Sequence, residues 1–163
     1  MTTLNNNKLN VGIIDYGLGN LYSIQRAVAK VGGIGIISSD PEILKSCDRL
    51  ILPGVGAFSV GMKGLKERNL IEFLYLVADK KVPILGICLG MQLLMSNSHE
   101  FGLHQGLNFI KGRVLGFKPA DSKEDSFKIP HVGWNSLDRH ADDNLLKGLP
   151  ESAETAAITG GGV

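Results

Sequence analysis

Apolar residues in the first two thirds of the chain change repeatedly between two spacings, and each change marks a new secondary-structure element. Short apolar runs that end in glycine or proline turns predict strands, here at residues 11–15, 34–38, 49–52 and 84–87. Apolar residues recurring every three or four positions predict helices, here at residues 21–31, 62–81 with a break near Asn69, and 89–96. Ser39-Asp40-Pro41 predicts a further short helix between the second and third strands.

The order of these elements predicts an α/β fold with a mostly parallel central sheet and helices on both faces. Apolar strands that alternate with helices are typical of that architecture. The helix over residues 21–31 also has recognisable ends, because Asn20 can cap its first turn and Gly32-Gly33 stops it. We expect a polar leader over residues 1–10 and a single domain over residues 11–163.

The last third of the chain has a different pattern, which favours antiparallel strands. A strand pair is predicted over residues 107–117 around Lys111-Gly112, then a polar loop over 118–126 and an extended segment over 128–137. The chain ends in a tail of small residues over 155–163. No internal repeat is present in the sequence.

Composition excludes several classes of protein. The 163 residues carry 17 Lys and Arg against 16 Asp and Glu, so no basic surplus indicates nucleic-acid binding. Residues 1–10 lack the apolar run of a signal peptide, and no apolar stretch reaches the roughly 18 residues of a membrane helix, so we expect a cytoplasmic location.

Two cysteines without metal-ligand spacing predict no metal site. Because the glycine turn at 17–19 has Tyr22 where a dinucleotide fingerprint needs glycine, we expect no cofactor.

Cys88 is the candidate nucleophile. It lies between Gly86 and Gly90 at a predicted strand-to-helix junction, which is the pattern of a nucleophile elbow with Cys in place of Ser. The following helix start favours a thiolate, and the backbone N–H of Leu89 would face a developing oxyanion. The alternative is that Cys88 is a small buried residue, and the spacing alone does not decide between the two. Cys47, which has no glycine neighbours, is predicted to be structural.

A second glycine turn, the PGVG loop (residues 53–56), follows the preceding predicted strand. Loops at the carboxyl ends of neighbouring parallel strands meet in one crevice, so this loop is expected near Cys88. Gly54, Val55 and Gly56 could supply the second oxyanion donor from their backbone N–H groups. The alternative is an ordinary glycine-rich turn.

Four segments together resemble one known family. They are DYGLGNL at 15–21, LPGVGAF at 52–58, GICLGMQLL at 86–94 and PHVGWN at 130–135. In this order they are similar to the glutaminase subunits of imidazole glycerol phosphate synthases, which are class I, triad-type glutamine amidotransferases with a flavodoxin-like fold. The resemblance extends from about residue 11 to residue 150.

The resemblance implies a reaction, a site and a partner. Cys88 would attack the side-chain amide of glutamine, Gln92 and Gly54 would contact the substrate, and Gly54, Val55 and Gly56 would form the oxyanion loop. Ammonia would pass to a cyclase subunit, bound as a heterodimer, that makes imidazole glycerol phosphate in histidine biosynthesis. His131, Trp134 and Asn135 match a segment of the family that faces this partner; the alternative is a buried Trp134 and a strand-capping His131.

The sequence departs from the family at the catalytic base, which the family carries in a late His-x-Glu pair. No such pair occurs here, and His140-Ala141-Asp142 has the spacing with a different acid. We therefore expect this chain to lack the C-terminal catalytic segment and its glutaminase activity to fall by about 10² to 10⁴.

Three other functions remain open. The chain could be a catalytically impaired fragment that only binds the synthase, or a paralogue that feeds ammonia to surface-polysaccharide synthesis. It could also be a separate cysteine hydrolase or chaperone-like protein on the same scaffold. Proteins of that last kind often place His directly after the nucleophile, where this chain has Leu89.

Overall fold

A computed structural model describes residues 8–116, 131–136, 147–148 and 154–159. Contacts divide the chain into two compact units, a larger one formed by residues 1–115 and a smaller one within residues 116–161. The candidate nucleophile and the PGVG loop belong to the larger unit. The segment proposed to face a partner belongs to the smaller one.

The larger unit is built on a parallel sheet of four strands. These are β1 (Asn10–Ile14), β2 (Ile34–Ser38), β3 (Arg49–Leu52) and β4 (Ile84–Gly86). Their order is β2-β1-β3-β4, and every neighbouring pair is parallel. The predicted α/β class with a parallel central sheet is confirmed, and each predicted strand is found to within one residue at either end. Because β3 and β4 are neighbours, the PGVG loop and Cys88 leave the sheet at the same edge.

Five helices connect or follow these strands. They are α1 (Leu21–Lys30), α2 (Pro41–Leu44), α3 (Phe58–Glu67), α4 (Leu70–Asp79) and α5 (Leu89–Leu93). The predicted cap is confirmed, since the Asn20 side chain accepts a hydrogen bond from the backbone N–H of Ser23 at 3.2 Å. The predicted break is confirmed too, because Asn69 takes a left-handed conformation, with φ of 55°, between α3 and α4.

The buried core of the larger unit reaches the end of the sheet where Cys88 lies. Leu52 at the end of β3, Phe58 at the start of α3, and Leu89 and Leu93 of α5 are all fully buried. Gly61 of α3 gives Leu93 its space, since an added Cβ there would lie 3.1 Å from the leucine methyl groups. Apolar burial therefore holds in place the first residues of α3 and α5, Phe58 and Leu89, which come after the PGVG loop and Cys88.

The helix predicted over residues 89–96 is too long. It ends at Leu93, and residues 95–98 form the strand β5 (Met95–Ser98), which pairs with β6 (His104–Gln105) and β7 (Ile110–Val114). Ser and Asn have low helix propensity, so strand pairing overrides the helical spacing of the preceding residues. With five residues, α5 is little more than one turn.

The predicted strand pair around Lys111-Gly112 is also wrong for the described part of residues 107–117. A single strand, β7, contains both residues and runs parallel to β5. Met95 pairs with Ile110 and Asn97 with Arg113, so β7 has one more residue than β5 over this interval. The glycine, with φ of +159°, lies at a bulge rather than at a turn.

The smaller unit contains a two-stranded antiparallel sheet. Strand β8 (His131–Ser136) pairs with β9 (Glu154–Thr159), and Trp134 lies opposite Ala156. The extended segment predicted over 128–137 is confirmed for residues 131–136, and residues 155–159 of the small-residue tail are a strand. The predicted polar loop at 118–126 and the triplet at 140–142 lie outside the described residues.

Among the described residues, none of the helices has both the length and the apolar character needed to cross a bilayer.

Candidate functional site

Cys88 lies in a strained turn between β4 and α5. Its φ of 54° and ψ of −116° fall in a region that residues with a side chain seldom occupy and that costs of order 1–3 kcal/mol. The side chain is nevertheless exposed. The alternative of a small buried cysteine therefore does not hold, and the turn presents the sulfur at the surface as the elbow pattern predicts.

The two glycines of the cysteine elbow (residues 86–90) are required by close backbone contacts. A Cβ added to Gly86 would lie 2.6 Å from Cα of Met91. A Cβ added to Gly90 would overlap the carbonyl oxygen of Leu52 and lie 2.9 Å from that of Pro53. Gly90 therefore allows the elbow to pack against the end of β3, and Gly86 allows α5 to pack against the end of β4.

The PGVG loop lies directly against the cysteine elbow, as the parallel topology predicts. A Cβ added to Gly54 would lie 2.9 Å from Cβ of Leu89 and 3.0 Å from the backbone nitrogen of Gly90. The backbone N–H of Ile87 donates to the carbonyl of Leu52 at 3.0 Å and ties the elbow to the loop's origin. Two segments more than thirty residues apart thus form one surface.

The predicted oxyanion residues differ in their exposure. Gly54 is buried, while Val55, with 56% of its surface exposed, and Gly56 are open to solvent. Leu89 has a fully buried side chain, but it is the first residue of α5, so its backbone N–H has no acceptor within the helix. Leu89 can therefore contribute only its backbone N–H to an oxyanion site, and the prediction for Leu89 concerns only that N–H.

The sequence patterns did not indicate a role for Tyr16, whose side chain contacts the PGVG loop. Its side chain is 1% exposed, and its hydroxyl donates a hydrogen bond of 2.5 Å to the carbonyl of Pro53. The same hydroxyl oxygen occupies the space that a Cβ of Gly54 would need. Burial raises the pKa of Tyr16 well above its usual value, and the negative charge of a Cys88 thiolate raises it further.

Glu100 binds the start of α3, two residues after the PGVG loop, and was also missed. Its carboxylate accepts a hydrogen bond of 2.6 Å from the backbone N–H of Phe58, the first residue of α3. Ala57, at the cap position, offers no side-chain acceptor, so Glu100 replaces the missing cap. Only the tertiary fold brings this carboxylate to α3, and no local sequence signal predicts it.

The glycine turn after β1 supports the loop from a third side. Gly19, with φ of +115°, has the side chain of Pro53 at 3.3 Å and the nitrogen of Gly54 at 3.4 Å from where its Cβ would lie. Three of the four segments that suggested a family resemblance therefore meet at one place in the larger unit.

Gln92 and Cys47 occupy different surroundings. Gln92 is half-buried on α5, one turn after Cys88, and its backbone N–H donates to the carbonyl of Cys88 at 3.2 Å. Cys47 is buried, and its pKa is raised by burial and by the neighbouring charge of Asp48. That environment suits the structural role predicted for Cys47, because a thiol so placed is a weak nucleophile.

The three residues predicted to face a partner lie on β8 in the smaller unit. Trp134 is 74% exposed, so the alternative of a buried tryptophan is wrong. Asn135 is half-buried, and His131 pairs with Thr159 in the strand register. A large exposed indole on a strand is typical of a contact surface.

Comparison with known proteins gives a consistent result. A family model described as "Glutamine amidotransferase class-I" matches residues 12–158. The chain is 48% identical over 141 residues to "Imidazole glycerol phosphate synthase subunit HisH" of Sulfurimonas denitrificans, covering 86% of this chain and 67% of the relative. Proteins with the same name from Bacillus licheniformis and Geobacter sulfurreducens are each 46% identical, with 83% and 78% of this chain and 64% and 61% of the relatives covered.

A solved structure, "Crystal structure of glutamine amidotransferase", is similar in fold, with a TM-score of 0.64 at 17% identity. The similarity covers 91% of this chain and 70% of that one. The chain spans about two thirds of the length of the curated relatives that it matches.

Proposed function

The chain belongs to the class-I glutamine amidotransferases, and on that premise we propose that it hydrolyses glutamine through Cys88 and supplies the ammonia to a cyclase subunit. The observation that carries the proposal is the exposed sulfur on a strained turn that two glycines make possible. The curated relatives carry the name of an imidazole glycerol phosphate synthase subunit, which supports a role in histidine biosynthesis. A cytoplasmic location is part of the same proposal.

In the proposed reaction, the Cys88 thiolate attacks the side-chain amide carbon of glutamine. A carbon–sulfur bond forms, and the carbonyl oxygen becomes an oxyanion. When the carbon–nitrogen bond breaks, the nitrogen takes up a proton and leaves as ammonia, and a glutamyl thioester remains. Water then cleaves the thioester to glutamate and the free thiol, so that glutamine and water give glutamate and ammonia.

The oxyanion would be stabilised by backbone N–H groups from both segments. The N–H of Leu89 has no helical acceptor, and the PGVG loop lies in contact with the same residue. Gln92 and Gly54 are proposed to contact the substrate, since both adjoin the elbow. Loss of one such oxyanion donor lowers turnover by about 10² to 10³.

The proposed nucleophile is tested by labelling with the γ-chloroketone analogue of glutamine, followed by peptide mass mapping. We expect the label on Cys88 and none on Cys47, with protection by excess glutamine. Cys88→Ser should abolish labelling, and Cys47→Ser is the matched control that should leave it unchanged. Preferential labelling of Cys47, or labelling that glutamine does not slow, would contradict the proposal.

The second half of the test concerns turnover without the His-x-Glu pair. General base catalysis contributes about 10² to 10⁴, so we propose that a polypeptide of residues 1–163 by itself releases glutamate more slowly by that factor than a relative carrying the pair. Any residual release should disappear in Cys88→Ser. Turnover equal to that of such a relative would refute this part of the proposal, and specific labelling with no measurable turnover would favour a binding role.

The partner contact is proposed to include His131, Trp134 and Asn135 of the smaller unit. Exposed Trp is enriched where proteins contact one another. We expect Trp134→Ala to weaken binding to the cyclase subunit of a relative's synthase at least tenfold by calorimetry. Tyr22→Ala is the control, because Tyr22 is 75% exposed on α1 in the larger unit. Equal effects of the two substitutions would refute a specific role for Trp134.

A further inference from the structure

We infer that Tyr16 is a positioning residue that fixes the peptide between Pro53 and Gly54 for oxyanion stabilisation. The inference rests on the proposed function, because it assigns Tyr16 a part in the same reaction. Tyr16 would not touch the substrate, and its effect would be transmitted through the backbone of the PGVG loop.

The first step of the argument is the geometry of the peptide plane. The carbonyl of Pro53 and the N–H of Gly54 belong to one planar trans unit and point in opposite directions. Because the Tyr16 hydroxyl donates to that carbonyl at 2.5 Å, it also determines which way the N–H of Gly54 points. A single side chain therefore sets the orientation of the whole unit.

The second step concerns what this orientation would be without Tyr16. Glycine resists rotation of its neighbouring peptides less than any other residue, and Gly54 cannot be replaced because Leu89 and Gly90 lie within 3.0 Å of its Cβ position. The PGVG loop must therefore keep a glycine at position 54, which permits rotation of the peptide between Pro53 and Gly54, although the N–H of Gly54 needs a fixed orientation to stabilise an oxyanion. The Tyr16 hydroxyl supplies that restraint from a buried position.

The third step is that the contact is confined to one atom. Tyr16→Phe keeps the ring in the core and removes only the hydroxyl, so packing changes little. Tyr75 provides a matched control within the same unit, because its hydroxyl donates to the carbonyl of Leu107 at 2.9 Å. Loss of either bond removes one hydrogen bond from tyrosine to a backbone carbonyl, and only one of the two bonds holds the PGVG loop.

The experiment compares two reagents that react with Cys88 differently. The γ-chloroketone analogue of glutamine presents a carbonyl oxygen to the oxyanion donors, whereas iodoacetamide alkylates the sulfur by direct displacement and needs none. For Tyr16→Phe we expect kinact with the chloroketone to fall about five- to tenfold, the effect of one lost neutral hydrogen bond. The iodoacetamide rate should stay within about twofold, since that displacement uses no oxyanion donor and the thiol is unchanged.

Controls separate a positioning role from general loosening. Tyr75→Phe should change neither rate, and 4-aminophenylalanine at position 16, which restores a donor on the same ring, should recover most of the chloroketone rate. Equal ratios of the two rates in the parent, Tyr16→Phe and Tyr75→Phe would overturn the inference. The inference would also be overturned if Tyr16→Phe lowers the chloroketone rate and 4-aminophenylalanine does not restore it. That outcome includes the case in which Tyr16→Phe reacts slowly only because it folds poorly.

The same data distinguish failure of the inference from failure of the proposed function. If the parent shows no saturation with the chloroketone and no protection by glutamine, the proposed function is refuted, and the role of Tyr16 with it. Saturation and protection in the parent with an unchanged kinact in Tyr16→Phe refute the role of Tyr16 alone.

Discussion

Gly90→Ala should destabilise the larger unit, because the elbow and the end of β3 touch through their backbones at this point. The added methyl group would overlap the carbonyl oxygen of Leu52 and lie 2.6 Å from its carbonyl carbon. Ordinary contact begins at 3.4 Å, so the carbonyl carbon alone requires the two segments to separate by about 0.8 Å, the difference between these distances, and the overlapping oxygen requires more. Neither side can rotate away, because both contacts are to backbone atoms.

Two contributions set the expected size of the effect. Overpacking of this kind costs about 1–3 kcal/mol. Separation also stretches the bond from the Ile87 N–H to the Leu52 carbonyl beyond its 3.0 Å, and losing it costs about 1 kcal/mol. We therefore expect the free energy of unfolding to fall by about 2–4 kcal/mol.

Urea unfolding followed by circular dichroism measures this change, with Gly116→Ala as the matched control. An added Cβ at Gly116 meets nothing within 4 Å, so that variant should stay within about 0.5 kcal/mol of the parent. Chloroketone labelling of Cys88 should also slow in Gly90→Ala, because the turn moves. A loss below about 0.5 kcal/mol in Gly90→Ala would refute the reasoning, since the elbow would then tolerate a side chain there.

Three further predictions follow from single contacts. Because the pKa of Tyr16 is raised above its ordinary 10.0, the folded protein keeps a proton that the unfolded chain loses above that pH. The contribution of Tyr16 to the free energy of unfolding is therefore complete below pH 10 and should fall above it by up to about 1.4 kcal/mol per pH unit. Urea unfolding at pH 9 to 11 measures this slope, which Tyr16→Phe should remove. Glu100→Ala should cost about 1–2 kcal/mol in thermal unfolding by uncapping Phe58, whereas Glu67→Ala on the exposed face of α3 should cost under about 0.5. Asn20→Ala should cost about 1 kcal/mol, with Asn20→Ser restoring most of it, and an unchanged midpoint would contradict the capping role.

The sequence predicts the parallel sheet because its local signals agree with the tertiary fold. Each strand of the sheet is a short apolar run closed by a turn, and most apolar residues of that pattern are buried in β1 and β3. Asn69 is the sharpest case, since a residue that tolerates a left-handed conformation stands where the helical pattern breaks. The conformational preference of Asn69 therefore agrees with the backbone conformation that the chain adopts between α3 and α4.

Prediction fails where pairing between distant strands overrides local spacing. The helix predicted over residues 89–96 includes Met95 and Ser96, but the backbone groups of residues 95–98 bond to β6 and β7. The pair Lys111-Gly112 has the composition of a turn and instead forms a bulge, because β7 accommodates one more residue than β5. Both outcomes depend on register, and register is set by partners that a local window does not contain.

The candidate site shows the same division between local and distant causes. Gly86 is readable from the sequence, because its close contact is with Met91 in the helix that follows. Gly90 is recognised by its spacing from Cys88, although the atoms that exclude a side chain there belong to Leu52 and Pro53. Gly54 is readable only as a glycine in a loop; the reason for it is the Tyr16 hydroxyl, 38 positions earlier, together with the start of α5. A spacing rule applied to either segment alone can find the candidate nucleophile but cannot find Tyr16. If the exchange of that one hydroxyl changes oxyanion-dependent labelling and leaves direct alkylation unchanged, the pairing of two motifs, rather than either motif, defines the site.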